Sequence, residues 1–476
     1  MSMRRFPSLA VLAGAALLLS AALYNRYPLT FWDTRIYVEH AGTLLPRPDR
    51  LIGYSVLMRV LSWKLTLWPV VVAQCLLVAA LIRYTLRCLR GGTSDVRYLL
   101  VMSFLTACSA IPWIAGQLMA DVFTPVLVIA LWLLVFDPAL APWQRGALLA
   151  LTALCVTVHL THLPLGIGLL AVAWLLLAGS RQPRAWQRVR TPALALLVGL
   201  AAISSFNYAR SGRASLASGS DTFVFGHLVD SGIASRLLDE HCPARGYLLC
   251  PHRRSLPMSV DELLWVDKLG LHPWDHARAI AQETHRMLWD SLREHPGLHL
   301  AVALDYTWRV LTRFRTGEGL DGDARPVIEA QIARYAPSDL VAFRAARQQS
   351  DELPIQQVRS VHTPVGWLLL VLGGLLLLAA ASGGVSFAQR SVSFVTFTCA
   401  ALLLNALISG NLSGIYDRYE SRLVWLLALG LVGDLPLADL GPSALLHQLQ
   451  LRLARGRRVF TASGARLSRV DHDRAR

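Results

Sequence analysis

The sequence predicts an all-α polytopic membrane protein of about ten transmembrane helices, and three observations predict it. Hydrophobic residues make up 54% of the 476 residues and charged residues only 16%, with mean hydropathy +0.44. A soluble domain carries about a quarter charged residues, so much of this surface calls for a solvent other than water. Apolar runs near the roughly 20 residues needed to cross a bilayer recur along the chain, centred on 6–24, 66–88, 98–114, 121–136, 145–161, 163–179, 192–208, 363–382, 392–409 and 423–438. The basic residues, nearly all Arg with Lys64 and Lys268 the only lysines, fall in short clusters between those runs.

The clusters set the orientation. Arg4 and Arg5 precede the first run, which places the N-terminus in the cytoplasm by the positive-inside rule. Alternation then puts "RYTLRCLRGGTSDVR", "PWQR", "RQPRAWQRVR", "AQRS" and the Arg-rich tail inside as well. The net charge of +15 thus reads as cytoplasmic loops rather than a nucleic-acid face. The first run also fits a cleavable signal peptide, with Ser20 and Ala22 before the cut. Retention is the expectation, because the segment after it is best held against a membrane helix.

The organisation follows in order: 1–208, an N-terminal transmembrane module with a first outer loop; 209–362, a periplasmic region; 363–440, C-terminal transmembrane helices; 441–476, a basic cytoplasmic tail. The 209–362 region reads as mostly helical. "SVDELLWVDKLG" carries Ser259 with Glu262 three residues on, a capping-box pattern, and the stretches around it keep three- and four-residue apolar spacing. Leu298–Val310 is apolar enough to suggest a span, but His299, Asp305 and Arg309 make it an amphipathic outer helix. Cys242 and Cys250 have the spacing of a local disulfide in an oxidising compartment. No CxxC pair and no His cluster with zinc spacing is present.

Candidate chemistry begins in "LTFWDTRIYVEHAGTLLPRPDRLIGYSVLM" (29–58), directly after the first span. A helix starting near Thr34 lies along the outer interface, with Trp32 and Tyr37 as anchors. Asp33 is then either its N-cap or a free carboxylate facing a cavity, and Arg35, Tyr37, Glu39 and His40 are further candidates. Other ionisable residues recur at the same level: Asp121 opening the fourth span, His159 and His162 between the fifth and sixth, and Asp417, Arg418, Tyr419, Glu420 and Arg422 before the last. Ionisable groups at membrane depth are costly and mark sites.

In this order of features the chain resembles the GT-C superfamily of membrane glycosyltransferases, such as aminoarabinose transferases and protein O-mannosyltransferases. "FWDTRIYVEHAG" is similar to the acidic first-loop motif, "MADVFTPVLVIAL" to the second acidic position, and "DRYESRLVWLL" to a late Arg-Tyr pair. "RPDRLIGYSVLMRVL" resembles the family's Pro-Gly-Tyr stretch but departs from it at Asp49-Arg50-Leu51-Ile52. The resemblance implies a GT-C-like fold with membrane-parallel helices in the first outer loop. It implies transfer of a sugar from a polyprenyl-phosphate donor to an envelope glycan, lipid or protein acceptor, at the periplasmic face of a bacterial inner membrane. Asp33 and Asp121 would be catalytic, and Arg418, Tyr419, Arg422 and His162 would bind the donor phosphate, with His159 as a further candidate. No nucleotide pocket is required, and a divalent metal ion occurs in some members. Two other readings use lipid-linked glycan without these roles: a transporter or flippase, and an O-antigen polymerase or ligase relying on the His- and Arg-rich stretch 252–313.

Overall fold

The computed structural model describes residues 9–433 apart from 46, 48, 64, 181–183, 213–218 and 387–388. The end of the last expected span and the basic tail therefore lie outside the described residues. Within them the chain is all-helical, and the extended contact is a single parallel bridge, Leu29 to Gln117. Each expected apolar run overlaps a helix: α1 (Leu9–Asn25), then, after the short α2 (Thr34–Thr43) and α3 (Gly53–Ser62), α4 (Trp68–Arg90) and α5 (Asp95–Cys108). Past α6 (Ile111–Ala115) come α7 (Phe123–Phe136), α8 (Pro142–Val158), α9 (His162–Gly179) and α10 (Ala185–Ser211).

The polar region supplies α11 (Ser220–Asp230), α12 (Ile233–His241), α13 (Val260–Leu264), α14 (Ala277–Glu294), α15 (Pro296–Leu311), α16 (Arg325–Tyr335) and α17 (Leu340–Arg344). The chain then returns through α18 (Ile355–Ala381), α19 (Arg390–Leu412) and α20 (Arg418–Gly433).

Five of these helices, α4, α9, α10, α18 and α19, are long and apolar enough to cross a membrane. Of the remaining expected spans, α5 and α7 are shorter than the sequence suggests. At 14 residues, α5 is only about 21 Å long, against a hydrocarbon core of about 30 Å. It starts early because Ser94 caps it, accepting from the Arg97 amide at 3.2 Å. It stops at Cys108 because Ser109 is extended and turns its hydroxyl back onto the Leu105 carbonyl at 2.6 Å. Likewise α8 ends at Val158 rather than near 161: the His162 ring, 2.7 Å from the Cys155 carbonyl, takes the acceptor that a continued helix would use.

Packing follows composition. On α7, apolar on every side, residues Phe123–Val135 are all buried, as an all-round hydrophobic helix must be. By contrast α18 leaves Leu368, Val371, Leu372, Leu375 and Leu378 exposed, an apolar stripe too continuous for a surface in water. The polar region has its own core, including Phe225, Leu228, Leu237, Leu263, Ile280 and Met287, and Cys242 and Cys250 form a disulfide at its edge. The capping box at α13 is formed: the Ser259 hydroxyl accepts from the Glu262 amide at 3.2 Å, and the Glu262 carboxylate accepts from the Ser259 amide at 3.1 Å. The 16-residue α15 lies against α19, where Asn411 donates to the Thr307 hydroxyl at 3.2 Å.

The two ends of the bundle differ in chemistry. At one end the tail of α4 meets the starts of α8 and α19, with Tyr84 against Gln144 and Arg390 on the Cys88 carbonyl at 2.6 Å. The other end joins the α1–α2 link, the α8–α9 corner, the end of α19 and the start of α20. There the acidic residues gather.

Candidate active site

Asp33 occupies the N-cap position of α2, but its side chain makes no cap hydrogen bond. The first turn is instead closed by Thr34, whose hydroxyl accepts from the Phe31 amide at 2.9 Å and donates to the Leu118 carbonyl at 3.1 Å. The Asp33 carboxylate is thereby left for other partners. Arg50 donates to its Oδ1 at 2.5 Å, and Arg418 lies 3.6 Å from its Oδ2. Burial pushes the Asp33 carboxyl up, but Arg50 and Arg418 outweigh it and hold the group below its usual range.

These residues line a cavity of about 850 Å³, together with Arg35, Asp49, Asp121, His159, Glu318 and Tyr419. Apolar side chains from the α8–α9 corner and the end of α19, among them Val158, Leu163, Ile408 and Leu412, complete its wall. The arrangement is a paired-charge floor beside an apolar surface, suited to a ligand that is ionic at one end and greasy at the other.

The two arginines are held on aromatic faces. Arg418 lies 4.4 Å over the Phe31 ring and 5.3 Å over Tyr419, and its backbone amide donates to Glu318 at 2.9 Å. Arg50 lies between Phe223 (5.8 Å) and Trp265 (5.6 Å), which belong to the polar region. Such stacking fixes a guanidinium while leaving its in-plane N–H donors free for carboxylate or phosphate. Burial pushes the Glu318 carboxyl up, against the opposing pull of Arg418.

Behind this floor lies a second, closed layer. Arg422 is fully buried, donating to Asp121 at 2.7 Å and to the Asn405 side-chain oxygen at 2.9 Å. Asn405 in turn donates to Glu420 at 2.7 Å. Asp121 reaches the cavity from this layer, but Arg422 does not line it.

The other expected residues divide. His159 is at the cavity wall with its Nδ1 2.9 Å from the Thr161 hydroxyl, and burial holds its imidazole well below its usual pKa. Its geometry fits a hydrogen-bonding role at the cavity wall. His162 is buried with both ring nitrogens engaged, by Thr124 (2.9 Å) and the Cys155 carbonyl (2.7 Å), and stays outside the cavity. Tyr37 reaches the cavity but is not an interfacial anchor: it is 1% exposed, packed edge-on against Tyr54 with centroids 4.8 Å apart. Trp32 is 43% exposed and also lines the cavity. Glu39 points away and pairs with Arg47 at 3.3 Å. His40 is buried with neither ring nitrogen hydrogen-bonded, and burial pushes it down to about 4.

Of the charged cavity residues, sequence reasoning misses Asp49, Arg50, Asp261 and Glu318. Arg50 stands in the first outer loop beside a carboxylate-bearing motif, which is a usable signal; Glu318, in the Gly-flanked turn "RTGEGLDGD", carries none. For a divalent metal ion, no three carboxylate or imidazole groups of the cavity come close enough to share one among the described residues. The cavity acids are engaged instead by Arg50, Arg47, Arg422, the Arg418 backbone amide and the Tyr416 hydroxyl, so they do not fit a metal-binding set. Comparison of the chain with protein-family models, with curated proteins and with solved structures gives no match.

Proposed function

We propose that this protein is a membrane glycosyltransferase that moves a sugar from a polyprenyl-phosphate donor to an acceptor hydroxyl at the periplasmic face of a bacterial inner membrane. The observation that carries this reading is the meeting of Asp33, Asp121, Arg50 and Arg418, remote in sequence, at one cavity with an apolar wall. The phosphate of the donor enters among Arg50 and Arg418, and the prenyl chain follows the apolar side chains of α9 and α19.

Arrival of the phosphate draws both guanidiniums off Asp33. Freed of them, the carboxylate regains basicity, since the opposite charges that held its pKa down now face the phosphate. Asp33 then accepts the proton of the acceptor hydroxyl as that oxygen attacks the anomeric carbon. The bond from that carbon to the phosphate oxygen breaks and its electron pair stays on the phosphate. The extra negative charge of the departing polyprenyl phosphate is met by the Arg50 and Arg418 donors, which are charge-assisted and already fixed in place. One displacement inverts the anomeric configuration. Asp121, held by Arg422, orients acceptor or sugar hydroxyls from the facing side.

The polymerase or ligase reading has less support, because no His or Arg of residues 252–313 lines the cavity; Val260, Asp261, Trp265 and Val266 do. The test is reconstitution of the purified protein in liposomes with a polyprenyl-phosphate sugar and an envelope extract as acceptor. The expected products are free polyprenyl phosphate and a new glycosidic bond, both detected by mass spectrometry. Movement of intact donor between leaflets with neither product would replace this reading with transport.

A further inference from the structure

We propose that Glu240, His241, Glu294 and His295 form a binding site for a divalent transition-metal ion of the zinc type. The site lies in the polar region, outside the cavity lining, and does not depend on the transferase reading. The sequence carries no zinc spacing because the ligands arrive as two adjacent pairs more than fifty residues apart (|i−j| 53 and 55). The fold brings the pairs together: α12 ends in Glu240-His241, and α14 ends in Glu294 with His295 as its C-cap. Two helix C-termini therefore converge, and their partial negative charge favours a cation.

The donor atoms face one another. His241 Nε2 is 2.6 Å from Glu294 Oε2, and His295 Nε2 is 2.9 Å from Glu240 Oε2. One donor atom from each of Glu240, His241 and Glu294 lies within 4.8 Å of the other two. Ligand bonds of about 2.0–2.2 Å place tetrahedral ligand atoms roughly 3.4 Å apart, so side-chain rotation closes the set around an ion. His295, 2.9 Å from Glu240, lies outside that close group and must turn further inward to take the fourth position.

Each carboxylate gives its other oxygen to an arginine. Glu240 Oε1 accepts from Arg236 at 2.7 Å, and Glu294 Oε1 from Arg245 at 2.6 Å, with Asp290 3.7 Å from Arg245. Outer contacts of this kind orient metal-binding carboxylates. They also leave the two Oε2 atoms and both imidazoles directed inward. The four side chains are 19–31% exposed, open enough for an ion to enter and shielded enough to hold it. A bound ion would tie α12 to α14 beside the Cys242–Cys250 disulfide, and so fix the outer region that carries Phe223 and Trp265 over Arg50.

The competing account is two His–Glu ion pairs and no metal. Equilibrium dialysis of the purified full-length protein against zinc chloride, with elemental analysis, separates the two. The expected result is about one zinc per chain, with affinity at least about tenfold weaker in the His241→Ala, His295→Ala double variant. The His285→Ala control should bind as wild type does, because His285 is an exposed histidine paired with Asp221 elsewhere. No zinc on the wild type, or equal loss in the control, overturns the proposal. If the double variant does not fold, cobalt(II) added to wild type decides: an intense tetrahedral visible spectrum supports the site, and a weak aqua-ion spectrum refutes it.

Discussion

Replacing Arg422 by Met removes the cation from the closed layer beneath the cavity while roughly conserving side-chain volume. Arg422 is 0% exposed and Asp121 7% exposed at the side chain, with 2.7 Å between them. The variant leaves Asp121 without its hydrogen-bonded cation and Asn405 Oδ1 without its 2.9 Å donor. Taking one partner from a buried pair costs about 3–5 kcal/mol, most of it the penalty of an uncompensated charge. At roughly 2 °C per kcal/mol for a chain above about 200 residues, the midpoint of thermal unfolding in detergent falls by about 6–10 °C. Fluorescence-detected size-exclusion after heating measures it. The double variant Arg422→Met, Asp121→Asn removes the stranded charge and regains most of the loss. A single variant melting within about 1 °C of wild type, or a double variant no more stable than the single, would refute the paired-charge account of this layer.

Further outcomes follow from the same geometry. In Arg50→Gln the Asp33 carboxyl loses its strongest opposing charge and its pKa rises. The acid limb of the kcat/KM profile, where activity is lost as pH falls through that pKa, therefore moves upward by on the order of one unit; an unmoved limb would detach Asp33 from it. Gly319→Ala is disfavoured twice, by a φ of +64° and by a Cβ that would run into the Phe31 ring. Displacing Phe31 removes the surface on which Arg418 rests, so transfer should fall while the protein still inserts, as a rate assay on purified variant reads. Opening the Cys242–Cys250 loop, which spans a sequence separation of 8, by Ser substitution at both positions costs about 2.5 kcal/mol by loop-closure entropy. Faster limited proteolysis confined to the polar region is the readout.

Much of the architecture is legible in the sequence because hydropathy acts over whole helices. All ten apolar runs overlap helices, yet the helix lengths do not follow from them, since termination depends on single hydrogen bonds such as Ser109 to Leu105 or His162 to Cys155. Asp33 is ambiguous in the sequence between cap and free carboxylate. Thr34, one residue on, resolves it by tying the Phe31 amide to the Leu118 carbonyl, a contact over 84 residues that no local pattern encodes. Arg418 and Arg422, four apart, look equivalent on one helix face. They differ because Asn405 and Asp121 enclose one, while Phe31 and Asp33 draw the other into the cavity. The Glu240–His295 cluster is invisible in the sequence for the same reason, being made by the meeting of two helix ends.

The most direct test is the affinity of the Asp33→Asn variant for polyprenyl phosphate, read alongside its transfer rate. In the proposed mechanism Asp33 competes with phosphate for Arg50 and Arg418, so the neutral side chain should bind the lipid phosphate at least as tightly as wild type while transfer is abolished. Transfer at the wild-type rate by a folded Asp33→Asn protein, or loss of phosphate binding together with activity, would contradict the account.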